Sequence, residues 1–591
     1  MDLAFSQTEV GNLIREKSSE LGGVGAALAY VHNHLRDVML GTVPAVPLHD
    51  VFPLSPLRRL PGKLCRCRGM IQEVEPNITL YRASCADFFG TVSGDDAAML
   101  EATLFYVIPV PGNAHFYDAQ HEGAADDERT AFSEQMALRH ASMGRKRRYR
   151  PDDDQQQQQQ QSQHDENEGG VTERGTRQRR EDAVVPQSRD DPQPVLGVPL
   201  HQQLNLPHPP VSAALHTACI VTVIQHSNAD KERLQLNDVV DFFGFLDDPP
   251  ASLSTHDTGE FDELEGFGAW HAEELPSGLL SRMTCMSWRH VYSAPERPLL
   301  PVFFESRRPL VVQYMTHTIC EGDALLAEYI LLHLCSRVVT HESATPIGDV
   351  PLRVEGQDLN PGAWSAYLRD VVPVGEVLLD GTQLLDTTRR ITPQQDQVTN
   401  VLRTGMLQLA NGTHVTLDCS AVAKSTSTLQ DALFVVIHKE MLPLEYPYQM
   451  YEVPIDLSFL ALSSATMEEE VELLRFAVSL RWTPELPVDA APSNGLTTDD
   501  VRDYLAQVRC VRRRFEKDNP SRALGLADRL VSFGRSEPRW NNHDPFLHNN
   551  SFSMTAALIR ACAASFGREV ISDDDVEHVL SLERRRMARQ C

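Results

Sequence analysis

LVVQYMTHTICEGDALLAEYILLHLCSR, residues 310–337, is the stretch from which the rest of the chain is read. Its first third has the outline of a β-strand. An acidic turn follows, Glu321-Gly322-Asp323, and then a helix over Ala324–Arg337 that is apolar nearly all round. Asp323 is placed to cap that helix, because a carboxylate there accepts a backbone N–H of the first turn. A helix apolar on most faces is buried on several sides. Strand, turn and helix is also the arrangement in which nucleotide-binding proteins cradle a phosphate. Here the turn carries two carboxylates, Glu321 and Asp323, which repel a triphosphate. The phosphate-wrapping pattern GxxxxGK[ST] occurs nowhere in the chain.

Composition narrows the reading further. The 591 residues carry a formal net charge of −28, and 42% are hydrophobic. Nonspecific DNA affinity comes from Lys and Arg displacing counterions, so a link to nucleic acid is expected to run through a protein partner. The 11 cysteines are scattered; the closest spacing is Cys65-x-Cys67, which matches no structural zinc pattern. They are expected to be reduced and buried. Neither HExxH nor GxSxG occurs, no run of about 18 apolar residues is present, and the first residues do not form a signal-peptide core. No membrane span, metal, cofactor or small-molecule substrate is expected.

Upstream of residue 310, residues 1–50 read as helical, with Phe5, Val10, Leu13 and Ile14 near helical spacing and a second helix over Val24–Leu40. Strands are predicted over Leu60–Val74, Ala102–Val110, Ala218–Gln225 and Leu234–Leu246. In the first, Cys65 and Cys67 share one face and Arg66 and Arg68 the other, while Gly69 interrupts the alternation as at a bulge or barrel bend. Such strands predict a small Greek-key barrel of OB type. Arg66 and Arg68 read as a solvated outer face; the alternative is a nucleic-acid contact, with Phe242 and Phe243 as stacking partners. Between the second and third strands, Asp118–Pro194 is low-complexity, with seven Gln at 155–161. Sequence of that kind cannot bury enough apolar surface to offset its ordering entropy, so 118–200 is expected to be a disordered insertion. Within it Arg145, Lys146, Arg147, Arg148 and Arg150 form a candidate nuclear import signal; the alternative is a solvated charge run.

Downstream, strands are predicted over Val350–Val354, Glu376–Leu379, Gly412–Leu417, Leu433–Ile437 and Leu457–Leu462. A metal-binding carboxylate pair would stand at the end of the third, where Asp418 is followed by Cys419 instead of a second acid. The C-terminal hundred residues read as helical. Thr497-x-x-Asp500 opens a helix with Val501, Tyr504, Leu505, Val508, Val511 and Phe515 on one stripe, ended by Pro520. Ser551–Phe566 is the next helix, and Ser572-x-x-Asp575 opens the last.

Six segments in order give the chain a resemblance. They are RGMIQE (68–73), FYVIPVPG (105–112), the basic–acidic block at 145–154, LQLNDVVDFFGFL (234–246), GDALLAEYILLHL (322–334) and TGMLQLANG (404–412). Together they resemble the MCM-binding protein family of eukaryotes. That family looks like a distant, degenerate relative of the replicative MCM helicase subunits it binds. The resemblance implies Asp418 as a retained acid, Cys419 as a replaced one, Ser553 where a lid arginine would stand, and Ser463 and Ser464 near a missing sensor asparagine.

The expected fold is therefore α+β and multidomain. A helical N-terminal region (1–50) precedes an OB-like barrel (51–250) interrupted by the disordered insertion. An acidic linker (251–278) leads to a degenerate AAA+-like α/β domain (279–490) with a C-terminal helical lid (491–591). The resemblance implies a non-catalytic nuclear adaptor or chaperone for MCM helicase subunits. Its roles would be helicase assembly or removal from chromatin, DNA replication and sister-chromatid cohesion, with chromatin contacted only indirectly. Two other readings stand beside it: an unorthodox AAA+-derived ATPase, and an OB-fold single-strand DNA binder.

Overall fold

The structure is a computed structural model. It describes residues 6–37, 49–52, 62–83, 97–113, 116, 204–207, 217–224, 234–247, 280–291, 301–338, 348–396, 402–464, 474, 476–485, 495–511, 520–537 and 545–589. The cationic run 145–150, the low-complexity stretch 118–200 and the acidic linker 251–278 all lie outside these residues.

Helices α1 (Gln7–Leu21) and α2 (Val24–Asp37) form a hairpin at the start. Ser6 and Glu9 make a reciprocal capping box at its entry, and Gly22 turns the chain at φ 79°. Six strands follow: β1 (His49–Asp50), β2 (Leu64–Ala83), β3 (Ala97–Ile108), β4 (Ala218–Ile224), β5 (Val239–Leu246) and β6 (Leu280–His290). They pair in the order β1-β2-β3-β4-β6-β5, and β5 returns to β2. The five longer strands thus close a barrel, as the OB-like expectation requires, and closure leaves them no free edge. The closing strand β6 was not predicted; it falls in the segment expected to open the α/β domain. Gly69 works by close approach rather than as a bulge: a Cβ there would lie 2.4 Å from the Ile108 carbonyl. The register shifts come just after it, between Ile71 and Glu73 and between Glu75 and Ile78. Val10, Ile14, Leu28 and Val31 of the helical hairpin pack on Leu64, Phe245 and Met286 of the barrel.

The quoted stretch forms two helices. α3 (Pro301–Thr318) occupies the segment expected to begin as a strand, and α4 (Ala324–Cys335) follows the turn. Phe304, Arg308, Val311, Tyr314 and Met315 are the buried stripe of α3, a helical recurrence that begins seven residues before the β-like run VVQYM. α4 is buried on most sides, as its composition requires.

The next elements are β7 (Leu352–Glu355), α5 (Pro361–Val371), β8 (Glu376–Leu379), α6 (Gly381–Leu384), β9 (Gln394–Gln395), β10 (Leu402–Arg403), β11 (Thr413–Asp418), α7 (Cys419–Ala423) and α8 (Ser427–Lys439). β12 (Met441–Tyr446), β13 (Gln449–Pro454), β14 (Leu457–Ser463) and β15 (Val478–Arg481) follow. Leu433–Ile437, expected as a strand, lies inside α8; Leu429, Leu433, Val436 and Ile437 form its buried stripe and Thr426 caps it. Five strands make a parallel sheet in the order β15-β7-β14-β11-β8. The chain enters at β7, crosses to the far edge at β8, returns through β11 and β14, and ends beyond its start at β15. β9, β10, β12 and β13 form a smaller sheet in the order β10-β9-β12-β13.

Four helices complete the chain: α9 (Thr498–Cys510), α10 (Pro520–Ser536), α11 (Pro545–Ser565) and α12 (Asp573–Arg589). The predicted boxes form, with Thr497 and Asp500 exchanging bonds at α9 and Ser572 and Asp575 at α12. α9 ends at Cys510, short of Phe515, and Pro520 starts a helix rather than ending one, as suits a residue with fixed φ and no N–H. With α3 and α4 these helices share one core with β7, β14 and β15.

Candidate functional site

In an open parallel sheet the ligand crevice lies outside the carboxyl ends of the strands, where the strand order reverses. Here that place is beside β7, between its neighbours β14 and β15. A phosphate-binding turn would therefore span 356–362, between β7 and α5, and not 321–323. The displacement follows from α3 being a helix: the acidic turn joins two helices and never leaves a strand.

The turn after β7 reads Gly356-Gln357-Asp358-Leu359-Asn360-Pro361-Gly362 and contains no lysine. Asn360 caps α5 with its own side chain, accepting the Ala363 N–H at 3.2 Å. Pro361 has no N–H to offer. A helix N-terminus binds anions through such donors, so two of its means are gone. A Cβ on Gly356 would lie 3.0 Å from Trp482 Cε3 and 3.2 Å from Leu359 Cγ. The Trp482 and Leu359 side chains thus pack closely against the start of this turn.

The neighbouring strand ends are also occupied. Buried Arg353 on β7 donates to Ser463 Oγ on β14 at 3.1 Å and pairs with Glu355 at 3.4 Å. The Gly356 N–H donates to the Ser463 carbonyl at 3.0 Å. Asp418, at the end of β11, caps α7 by accepting from the Ser420 N–H at 2.9 Å and Ser420 Oγ at 2.7 Å. Cys419 is buried in the apolar core under the sheet. Ser553 lies half-buried on α11, a helix that packs on α4 and α12. The fold brings Asp418 and Ser463 to neighbouring strand ends. Trp482 reads from sequence as a core or partner-surface anchor, and it packs beside Gly356; Arg353 carries no signal in the sequence, because its place at these strand ends follows from strand order.

The Glu321-Gly322-Asp323 turn is a structural knot. Glu321 and Gly322 take positive φ, 49° and 94°. Asp323 Oδ1 accepts the Leu326 N–H at 2.9 Å, capping α4. Its Oδ2 accepts from the Thr483 N–H and Oγ1, both at 3.1 Å, and from Arg589 at 2.6 Å. One carboxylate thereby joins α4, the exit of β15 and the end of α12.

The barrel's basic residues are committed as well. Arg66 forms a two-pronged pair with Asp50 at 2.5 and 2.8 Å. Arg68 does the same with buried Asp241 at 2.6 and 2.9 Å, and Arg289 reaches that carboxylate at 3.1 Å. Burial would raise the Asp241 carboxyl, but Arg68, then Arg289 and Arg66, hold it below its ordinary value. Phe242 and Phe243 are buried and present no face for stacking a base. The arginines are thus neither a solvated face nor an open phosphate track.

Several resemblance segments meet where barrel and sheet join. Gln408 donates to the Gln72 carbonyl at 3.0 Å, the Asn411 N–H to the Asn237 carbonyl at 2.7 Å, and Asn411 Nδ2 to Asp238 at 3.1 Å. A Cβ on Gly112 would lie 2.2 Å from the Glu376 carbonyl, so glycine is needed for this approach.

At the opposite, amino-terminal edge of the sheet lies a closed cluster of titratable groups. His333 Nδ1 bonds the Val350 carbonyl at 2.7 Å, which places the proton on Nδ1 and leaves Nε2 to accept from His414 Nε2–H at 2.9 Å. Burial pushes His333 down to about 4; burial and then His333 and Arg509 depress His414. Asp349 accepts from Ser336 and Ser458 at 3.1 and 3.3 Å, and burial, then the Asp456 charge, push it up to about 7. These groups sit behind the strands, away from the crevice, and act on stability. A carboxyl whose folded pKa is raised favours the fold at low pH and loses that contribution as pH rises from about 3.8 through 7. Asp349→Asn is therefore expected to stabilise the protein by ~2 kcal/mol more at pH 8 than at pH 5. Denaturant midpoints at the two pH values check this; an equal change at both contradicts it.

Comparison with known proteins adds a finding independent of this geometry. The family model described as mini-chromosome maintenance replisome factor matches residues 82–590. A mini-chromosome maintenance complex-binding protein of Arabidopsis thaliana is 23% identical over 586 residues, covering 93% of this chain and 91% of the relative. Proteins of the same description from Danio rerio and Rattus norvegicus are 26% and 25% identical, covering 71% and 83% of this chain and 71% and 79% of their own lengths.

Proposed function

The chain belongs to the mini-chromosome maintenance complex-binding protein family, and from that membership we propose that it is a non-catalytic adaptor for subunits of the MCM helicase. One observation carries the non-catalytic part: at the carboxyl ends of β7, β11 and β14 the turn 356–362 has no lysine, Asn360 and Asp418 are engaged in capping α5 and α7, and buried Arg353 is bonded to Ser463. The sheet order and the closed barrel before it support a helicase-like, AAA+-like body with the C-terminal helices as its lid. A body of that shape can take a subunit's place without contributing a nucleotide site.

The working role that follows is escort of helicase subunits during assembly or removal from chromatin, with DNA replication and sister-chromatid cohesion as the processes served. It acts in the nucleus, with Arg145, Lys146, Arg147, Arg148 and Arg150 as the import signal and chromatin reached through the helicase. The charge of −28 supports contact with nucleic acid through a partner rather than directly. The ATPase reading is tested by titrating the purified chain with Mg-ATP and following its melting temperature. Binding at 100 times Kd would stabilise the fold by ~2.7 kcal/mol. No shift at millimolar Mg-ATP is expected; a saturable shift abolished by Asp418→Ala would restore the enzyme.

A further inference from the structure

The hairpin of β12 and β13 carries the most exposed aromatic side chain of the described residues. Tyr448 at its tip is 99% exposed, Met450 61% and Tyr451 48%. β13 stands at the edge of its sheet, with only β12 beside it among the described residues. Its outward backbone groups follow from the register. The Glu445 N–H points away from β13, donating to the Pro393 carbonyl at 2.8 Å. Glu445 opposes Met450, so Met450 and, two residues on, Glu452 turn their N–H and C=O groups to the open edge. Exposed edges are ordinarily guarded by lysine, a bulge or a short length. β13 itself has no lysine, although Lys439 of α8 stands 3.9 Å from Glu452, and its pairing with β12 runs without a register shift.

We propose that this edge is a docking site for a protein of the MCM complex. An extended segment of the partner adds beside Met450–Glu452, with Tyr448 and Met450 as its apolar anchors. Strand addition supplies affinity through main-chain bonds and specificity through alternate side chains. Exposed Tyr is the residue type that dominates such interfaces. The charge selects the class of partner. Residues 441–454 contain Glu445 and Glu452 and no Lys or Arg, so the hairpin repels a phosphate backbone despite its aromatics. A second copy of this chain, itself at −28, is repelled in the same way. A protein segment fits that has an apolar residue for each anchor and a basic residue opposite Glu452, taking the place of Lys439, whose Nζ lies 3.9 Å from that carboxylate.

This inference rests on the adaptor reading, and the experiment separates the two. Full-length protein and the double variant Tyr448→Ala/Met450→Ala are titrated against purified MCM subunits. Melting temperature is followed in parallel, since both side chains lie outside the core. The expected result is binding by the parent chain and a loss of at least ~30-fold in the variant, with an unchanged melt. A second variant, Met450→Pro, removes one outward N–H and is expected to weaken binding as well. Equal affinity of parent and variants overturns the hairpin assignment and leaves the adaptor reading intact. Failure of the parent to bind overturns both. Hairpin-dependent self-association, or hairpin-dependent binding of single-stranded DNA, reassigns the edge and overturns the proposal.

Discussion

Asp323→Ala is expected to destabilise the protein by ~3–5 kcal/mol. The substitution deletes the cap of α4 and leaves the Thr483 donors and Arg589 facing a cavity where one buried carboxylate held all of them. Loss of the cap alone accounts for about 1 kcal/mol. Most of the rest comes from stranding the Arg589 guanidinium, whose side chain is one-fifth exposed, so the penalty is smaller than for a fully buried charge. Asp323→Asn keeps a cap oxygen and is expected to recover about half of the loss. Urea denaturation of the three proteins checks the order. A change below 1 kcal/mol in the alanine variant would show that the turn holds nothing together.

Asp241→Ala is expected to cost a similar ~3–5 kcal/mol, now in the barrel. Asp241 is fully buried on β5, and its carboxylate balances Arg68 on β2 and Arg289 on β6. Those strands flank β5, so one carboxylate fastens three strands of the closure. Because its pKa is held below the ordinary value, its contribution is complete above about pH 4 and is lost as pH falls through the folded value. Parent and variant are therefore expected to converge in strong acid and diverge above it. Denaturation followed at pH 3 and pH 7 checks this, and a variant as stable as its parent at pH 7 contradicts it.

The sequence was most legible where a local rule fixes local structure. The reciprocal boxes at Thr497–Asp500 and Ser572–Asp575 mark their helix starts, because the bonds close within three residues. Glu376–Leu379 is a strand at the predicted bounds, and Asp323 caps α4 as its position requires. Legibility failed where packing over distance overrides the window. Residues 310–315 look like a strand because Val311 and Val312 are β-branched, yet the burial stripe running from Phe304 makes them helical. The same holds at Leu433–Ile437, where a short apolar run within α8 imitates a buried strand. The first error moved the expected phosphate position from 356–362 to 321–323, and strand order corrects it. The conclusion survives the move, because the turn at 356–362 also lacks a lysine and caps its own helix through Asn360. The pairing of Arg66 with Asp50 and of Arg68 with Asp241 spans 16 and 173 residues, and no spacing rule reaches that far.

The central claim is that this chain binds MCM subunits through a body with no working nucleotide site. Size-exclusion chromatography with light scattering, run on the chain mixed with purified MCM subunits, tests it most directly when repeated without nucleotide and with Mg-ATP. The account predicts a stable complex of the same mass and yield in both buffers. No complex in either buffer, or one that forms only when this chain is loaded with nucleotide, would contradict it.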